Sequence, residues 1–459
     1  MEDVHQGLAR FGLKIPDILL PRQGTDLEKW AVIACDQFTQ DRAYWEKVRE
    51  TAGDAPSTLN LIFPEIYLPD EGRTARIDAI RRAMKACLQD GTFAPPRQGC
   101  VYLERNTPHH RGRRGLVIAL DLEQYDWAPA SRPLIRTTEG TVPERLPPRM
   151  EIRRGAALES PHILVLIDDE KDEILPTLGE RAKTAAPAYQ SSLMLGGGDI
   201  SGWFLDDKAA WAFLSRGLES LARRALTRYE THGPGEAPFL FAVGDGNHSL
   251  ATAREIWVEY KKAHAGDPDL MNHPCRYALA EIQNLYDPAI QFEPIHRALF
   301  NTGMDDVLAR LSVLPGFSGR PAGNGGAGDK AALARLVADP KAAKTRLGLI
   351  SGDRCAVVEY DAPGLATVNL QPLLDELVQN NGGKGKAAPA IDYIHGGDEI
   401  FRLAADPAAQ AVGILLPPVK KSGLFETAAR SGPLPRKSFS MGEAVEKRYY
   451  LECRELFGV

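Results

Sequence analysis

The sequence predicts an α+β fold with mixed sheets and interleaved helices. Short apolar runs that stop at an acid recur along the chain, and stretches with helical periodicity separate them. No internal repeat of fixed period appears, which excludes a solenoid or propeller.

The apolar runs come first. Ala31–Ala34 precedes Cys35-Asp36, Leu116–Leu120 precedes Asp121, Ile163–Ile167 precedes Asp168-Asp169, and Phe239–Val243 precedes Gly244-Asp245. Each is short and bounded by polar or turn residues, as buried strands are. Further strands are predicted at Leu347–Ile350, Ala356–Tyr360, Ala366–Leu370 and Val412–Leu416. Helices are predicted at Ala75–Gln89, where Ile77, Ile80, Met84 and Leu88 share a face, at Leu205–Glu230, and at His248–His264. A last helix is expected over Ser440–Phe457, because Ser440 and Glu443 have the S-x-x-E spacing of a capping box. Gly-rich 318–329 and the Gly/Lys/Ala stretch 380–389 read as loops or linkers. With a softer boundary near 190, three regions are expected: 1–190 with an Arg-rich loop, 191–317 with the Gly244 turn, and 330–459.

Bulk properties narrow the function classes. The chain has 459 residues, 44% hydrophobic and 25% charged, with a net charge of −6. That is an ordinary globular balance, and its acidity argues against nucleic acid or an anionic membrane as partner. The six cysteines show no C-x-x-C spacing, so neither a disulfide framework nor a structural zinc site is expected. The first twenty residues carry charges throughout and lack the apolar core of a signal peptide. A cytoplasmic protein is the expectation. The P-loop, H-x-x-x-H and early G-x-G-x-x-G patterns are absent.

The segment richest in chemistry is Gly244-Asp245-Gly246-Asn247-His248, between a strand and a helix. Two glycines allow positive φ and close approach of a ligand. Asp245 or Asn247 can cap the helix, whose N-terminus favours anions. Asp245 is a candidate metal ligand or proton acceptor, and His248 a candidate acid–base group near neutral pH. A second candidate is 132–154, RPLIRTTEGTVPERLPPRMEIRR, with Arg132, Arg136, Arg145, Arg149, Arg153 and Arg154. Guanidinium forks match phosphate and carboxylate geometry, and the prolines stiffen the loop. Arg136, Thr138, Arg149 and Arg153 are the expected phosphate contacts, and Glu139 the expected base. His296, Arg297, His395, Asp398, Arg436 and Lys437 lie beside Gly or Pro turns and are expected to converge on the same site. A solvated surface or a core role is the plainer reading for each of these basic residues taken singly.

VIACDQFTQDRAYWEKV at 32–48, PHILVLIDD at 161–169, GDGNHSLATA at 244–253, NLYDPAIQFEPIHR at 284–297 and LPRKSFSMGEAVEKRYYLECR at 434–454 together resemble the domain of unknown function 1015 family over nearly the whole chain. The D-G-x-H turn opening a helix is also similar to the box of the ParB/sulfiredoxin-like superfamily. Some members of that superfamily phosphorylate free serine, and others hydrolyse nucleotides. Those relatives carry Arg directly after the His, where this chain has Ser249. The second resemblance implies a ParB/sulfiredoxin-like core elaborated by extra α/β segments, and nucleotide phosphates lying on Gly244, Gly246 and Asn247.

The leading expectation is therefore a nucleotide-dependent, kinase-like phosphotransferase acting on a small hydroxylated metabolite such as an amino acid. ATP or another nucleotide would bind with Mg²⁺ held at Asp245. The alternatives are a metal-dependent hydrolase or lyase using Asp245, His248, His296, His395 and Asp398, and a non-catalytic nucleotide- or metabolite-binding protein.

Overall fold

A computed structural model describes residues 3–229, 236–322, 327–380, 388–406 and 408–458. Parts of the two expected linkers, 323–326 and 381–387, lie outside the described residues, as does Glu230, the end expected for the second helix. The chain divides into two units. One comprises Met1–Ile290 with Gly442–Val459, the other Gln291–Met441. These boundaries differ from 190 and 317: residue 190 is inside a strand.

The first unit is organised by a ten-stranded mixed sheet. In chain order its strands are β1 (Leu13–Lys14), β2 (Cys100–Asn106), β3 (Arg113–Asp121), β4 (Tyr125–Asp126), β5 (Ile135–Thr137), β6 (Leu164–Ile167), β7 (Tyr189–Leu193), β8 (Gly198–Leu205), β9 (Phe241–Asp245) and β10 (Tyr277–Asn284). Their spatial order is β7-β8-β2-β3-β10-β6-β9-β5-β4, with β1 added beside β3. The β10–β6, β9–β5 and β4–β5 pairs are parallel, and the others are antiparallel. All eight residues of β10 are buried. A strand covered on both faces needs such a continuous run rather than alternation. Around the sheet lie α1 (Arg42–Ala52), α2 (Arg73–Gln89), α3 (Leu146–Arg153), α4 (Lys208–Arg228) and α5 (Asn247–Ala263). Trp30, Trp45 and Trp257 are almost wholly inside the core.

In the second unit an antiparallel sheet contains β11 (Phe292–Phe300), β12 (Ser318–Pro321), β13 (Thr345–Ser351), β14 (Arg354–Tyr360), β15 (Ala390–His395), β16 (Ala411–Leu415) and β17 (Phe439–Met441). Its order is β12-β14-β13-β16-β11-β15, with β17 pairing β11. The α+β class with mixed sheets is thus the observed one.

Two expected elements are different. Ala366–Leu370 is not a strand but opens α6 (Ala366–Asn380). Leu370, Leu374 and Leu377 are buried along one face of that helix, a spacing that a five-residue window cannot show. Ser440–Phe457 is not a helix. It runs as β17, a 3-10 turn at Ala444–Glu446 and two short strands, Tyr449–Tyr450 and Arg454–Glu455. The capping box belongs to Glu443 and Glu446. Arg448 to Cys453 are six consecutive buried residues. A helix lying on a surface exposes one face, so such a run fits an extended segment enclosed on both sides.

Strand pairing draws this tail inward: Tyr449 and Tyr450 pair with Ile33 and Val32, and Arg454 with Glu159. Buried Arg105 donates to the carbonyl oxygens of Gly197, Val445, Glu446 and Lys447. Arg448 pairs with Glu281 and Glu452. Both buried arginines therefore have polar partners, without which burial would cost on the order of several kcal/mol each.

Among the described residues no helix is long and apolar enough to cross a membrane. None of the six cysteines is joined in a disulfide.

Candidate ligand site at the Gly244–His248 turn

Three strands place the turn. β9 ends with Gly244 and Asp245. It is flanked by β6, with Leu164 opposite Asp245, and by β5, with Thr137 opposite Val243. The chain then reverses at Gly246, whose φ is +77°. A Cβ on Gly246 would stand 3.0 Å from the Cα of Ile163, so only glycine meets both the backbone angle and the space.

Gly246 is also the cap of α5, and no side chain caps this helix. The expected capping by Asp245 or Asn247 does not occur. Asp245 Oδ1 instead accepts the Gly246 N–H at 2.9 Å, and Asn247 is already the first helical residue. The positive end of the helix is left for something else to neutralise. Thr137 Oγ1 lies 2.5 Å from both Asn247 Oδ1 and the Glu139 carbonyl. One hydroxyl proton serves one acceptor, so the Asn247 amide is best placed with its NH₂ toward Thr137. Thr138 Oγ1 donates to Val243 O at 2.6 Å. The Thr137-Thr138 pair thus fixes the turn from the β5 side, and half-buried Glu139 follows it.

Asp245 Oδ2 faces Lys447 Nζ at 3.1 Å. Burial alone would raise the carboxyl pKa. The Lys447 charge and hydrogen bond, with help from His162 and the Gly246 amide, overcome this and hold it below its ordinary value. No group of three His, Cys, Asp or Glu able to hold a metal exists among the described residues. Asp245, the residue expected to hold Mg²⁺, is paired with Lys447.

His248 is the second residue of α5 and faces the segment that follows Glu139. Its Nε2 accepts the Val142 N–H at 3.3 Å. Burial, then the charges of Arg149 and Arg145, lower its pKa to about 4. The imidazole is neutral near pH 7, and its Nε2 lone pair faces the Val142 amide.

A second group of polar residues stands around these. Tyr450 Oη accepts the Cys35 N–H at 3.1 Å, so its own proton is available to His162 Nδ1 at 2.7 Å. The other ring nitrogen of His162 then carries hydrogen and faces Asp36 Oδ2 at 3.9 Å. Arg149 Nε donates to Glu65 Oε1 at 2.8 Å. Glu65 is raised above the ordinary glutamate value by burial, although Arg149 opposes it. Asp36 is near enough for its charge to act on both His248 and Glu65.

The Arg-rich stretch separates into different roles. Arg145 and Arg149 are on the turn side, at the start of and within α3. Arg136 directs most of its guanidinium to partners other than the turn. It donates to Pro133 O and Ala237 O at 2.9 Å each, stacks 4.8 Å from the Phe239 ring, and is lowered to about 10 by burial and Arg132. Arg153 points into the core against Glu159. Arg132 bonds backbone carbonyls, and exposed Arg154 pairs with Glu259 at 2.9 Å.

The later candidates belong to the second unit. His296 Nδ1 accepts Leu416 N–H at 3.1 Å, and burial lowers its pKa to about 4. Arg297 is fully buried, donating to Gln371 Oε1 at 2.8 Å and stacking over Tyr393. Both are built into that unit's interior. His395 ends β15, exposed Asp398 lies in the following helix, and Arg436 and Lys437 are exposed.

Sequence reasoning missed Asp36, Glu65, His162, Lys447 and Tyr450 as members of one site. Four of them sit in or beside segments already singled out: Asp36 ends an apolar run, His162 precedes one, and Lys447 and Tyr450 lie in the tail. Nothing local marks Glu65.

The sequence profile of a family described as "Protein of unknown function (DUF1015)" matches residues 19–376. The chain belongs to this family. No curated protein matches this DUF1015 member. Solved structures similar to it include a free serine kinase in complex with AMP, at 10% identity and a TM-score of 0.36, covering 74% of this chain and 92% of that one. Another is a conserved hypothetical protein from Pyrococcus furiosus, at 12% identity and 0.33, covering 73% and 90%. A third is C-terminally truncated SbnI from Staphylococcus aureus, at 11% and 0.32, covering 71% and 82%.

Proposed function

We propose that this DUF1015 protein is a nucleotide-dependent phosphotransferase acting on a small hydroxylated metabolite, with the nucleotide phosphates received at the Gly244–His248 turn. The observation that carries this reading is the uncapped start of α5, where Gly246 provides no capping side chain, combined with cations on its flanks. Lys447, paired with Asp245, lies on one side, and Arg145 and Arg149, the latter paired with Glu65, lie on the other. Helix N-termini and guanidinium groups both favour phosphate, and phosphoryl transfer depends mainly on positioning and charge neutralisation.

In this reading the substrate hydroxyl oxygen attacks the terminal phosphorus. A new O–P bond forms, the bridging P–O bond breaks, and the nucleotide leaves as the shorter phosphate. The hydroxyl proton goes to a carboxylate. Asp36, which faces His162 at 3.9 Å and accepts from Gln37 Nε2 at 2.9 Å, takes that role more naturally than His248, whose lone pair faces the Val142 amide. Glu139 stays as the second carboxylate beside the turn. No step is assigned to a metal.

The test is a titration of the full chain with ATP, ADP, AMP and CTP by calorimetry, followed by turnover of ATP across hydroxylated metabolites. Binding of one nucleotide that is lost in Lys447→Met supports the reading. No binding by any of the four rejects it.

A further inference from the structure

A separate cavity lies in the first unit between α1, α2 and the chain 59–67, with a volume of about 290 Å³. That is near the low end of the roughly 300–1,000 Å³ usual for small-molecule sites. Its floor is apolar: Trp45, Ile62, Tyr67 and Ile80 are all buried there. The polar groups that reach it are Arg49, Arg76 and Asn60. No aspartate or glutamate lines it, although the chain as a whole is acidic.

The two arginines differ from their neighbour. Arg42 also lies over Tyr67, but it is neutralised by Asp70 through two hydrogen bonds. Among the described residues neither Arg49 nor Arg76 has a carboxylate within ion-pair distance. The Arg76 guanidinium lies over Tyr67, 4.1 Å from its ring centroid, and 5.7 Å from that of Phe63. Stacking fixes the plane of a guanidinium while leaving its N–H edge available.

We propose that this cavity binds a small organic carboxylate with an aromatic or branched apolar body. The body would fill the space over Trp45, Ile62 and Ile80, and the carboxylate would meet the forks of Arg76 and Arg49. The proposal is independent of the phosphate-binding reading, since it uses none of the residues around Gly244.

The test is calorimetry on the full chain with phenylacetate, the neutral isostere phenylacetamide, and inorganic phosphate. Phenylacetate is expected to bind, with the amide weaker by about ten-fold or more and phosphate alone giving no signal. The Arg49→Gln/Arg76→Gln double variant changes only rim side chains and is expected to weaken phenylacetate by at least about ten-fold. Quenching of tryptophan fluorescence by phenylacetate is expected to disappear in Trp45→Phe. The proposal is overturned by any of three results: no binding of phenylacetate, equal affinity for acid and amide, or unchanged affinity in the double variant.

Discussion

Lys447 Nζ lies 3.1 Å from Asp245 Oδ2, so a residue of the C-terminal tail completes the charge pattern of a turn held at the end of β9. The tail does not reach that position freely. Arg105 gathers the carbonyls of Val445, Glu446 and Lys447, and the Tyr449–Tyr450 strand pairs with Val32 and Ile33. Replacing Lys447 with Met is expected to abolish nucleotide binding. It also leaves a partly buried carboxylate unpaired, at about 1–3 kcal/mol of stability. Calorimetric titration and denaturant unfolding measure the two effects. Undiminished nucleotide affinity in a folded Lys447→Met protein is incompatible with the proposed site.

The environment of His248 makes a prediction about chemistry. A general base normally contributes about 10²–10⁴-fold to rate. His248 accepts an amide hydrogen bond that a glutamine can also accept, so His248→Gln should keep turnover within about ten-fold of the parent. Asp36→Asn should lose about 10²–10⁴-fold in kcat while still binding nucleotide. Steady-state kinetics of the pair decide between the two residues, and the opposite ranking would return the base to His248.

The same histidine predicts a pH dependence of stability. His248 and His296 both have folded pKa values of about 4 against an ordinary 6.5. Each takes up a proton more readily after unfolding than before. Their contribution is therefore complete above about pH 6.5 and is lost as pH falls toward 4. Melting temperature should decline over that window, and less so in His248→Gln and His296→Gln. Identical slopes in parent and variants would show that these rings do not carry the linkage.

How much of this was legible in the sequence depended on the range of the signal. The strand, glycine turn and helix around Gly244 lie in one contiguous segment, and that geometry follows from local residue chemistry. The α5 cap was misread because Asp and Asn suit caps in general, whereas here Asp245 bonds the Gly246 amide and Asn247 faces Thr137. Arg136 and Arg149 look equivalent in the sequence. Their difference arises from strand alternation: Thr137 meets the turn, and Arg136 faces away toward Ala237 and Phe239. Lys447 was invisible as a site residue because its role depends on an extended tail, and the S-x-x-E pattern suggested a helix there. His162 and Asp36 meet only through the pairing of distant segments.

That distinction between the arginines is itself testable. The guanidinium of Arg136 is directed to Pro133 O, Ala237 O and the Phe239 ring, whereas Arg149, paired with Glu65, lies close enough to lower the pKa of His248. Arg136→Met should therefore reduce stability by about 1–3 kcal/mol, through the loss of two part-buried hydrogen bonds, and leave nucleotide affinity unchanged in the folded fraction. Arg149→Met should weaken nucleotide binding by about ten-fold or more, the scale of one charge-assisted contact. It should also release His248 toward its ordinary pKa, because one of the two cations that depress it is gone. Histidine titration followed by NMR reads that release directly, and no upward movement of the His248 midpoint in Arg149→Met would separate Arg149 from the turn.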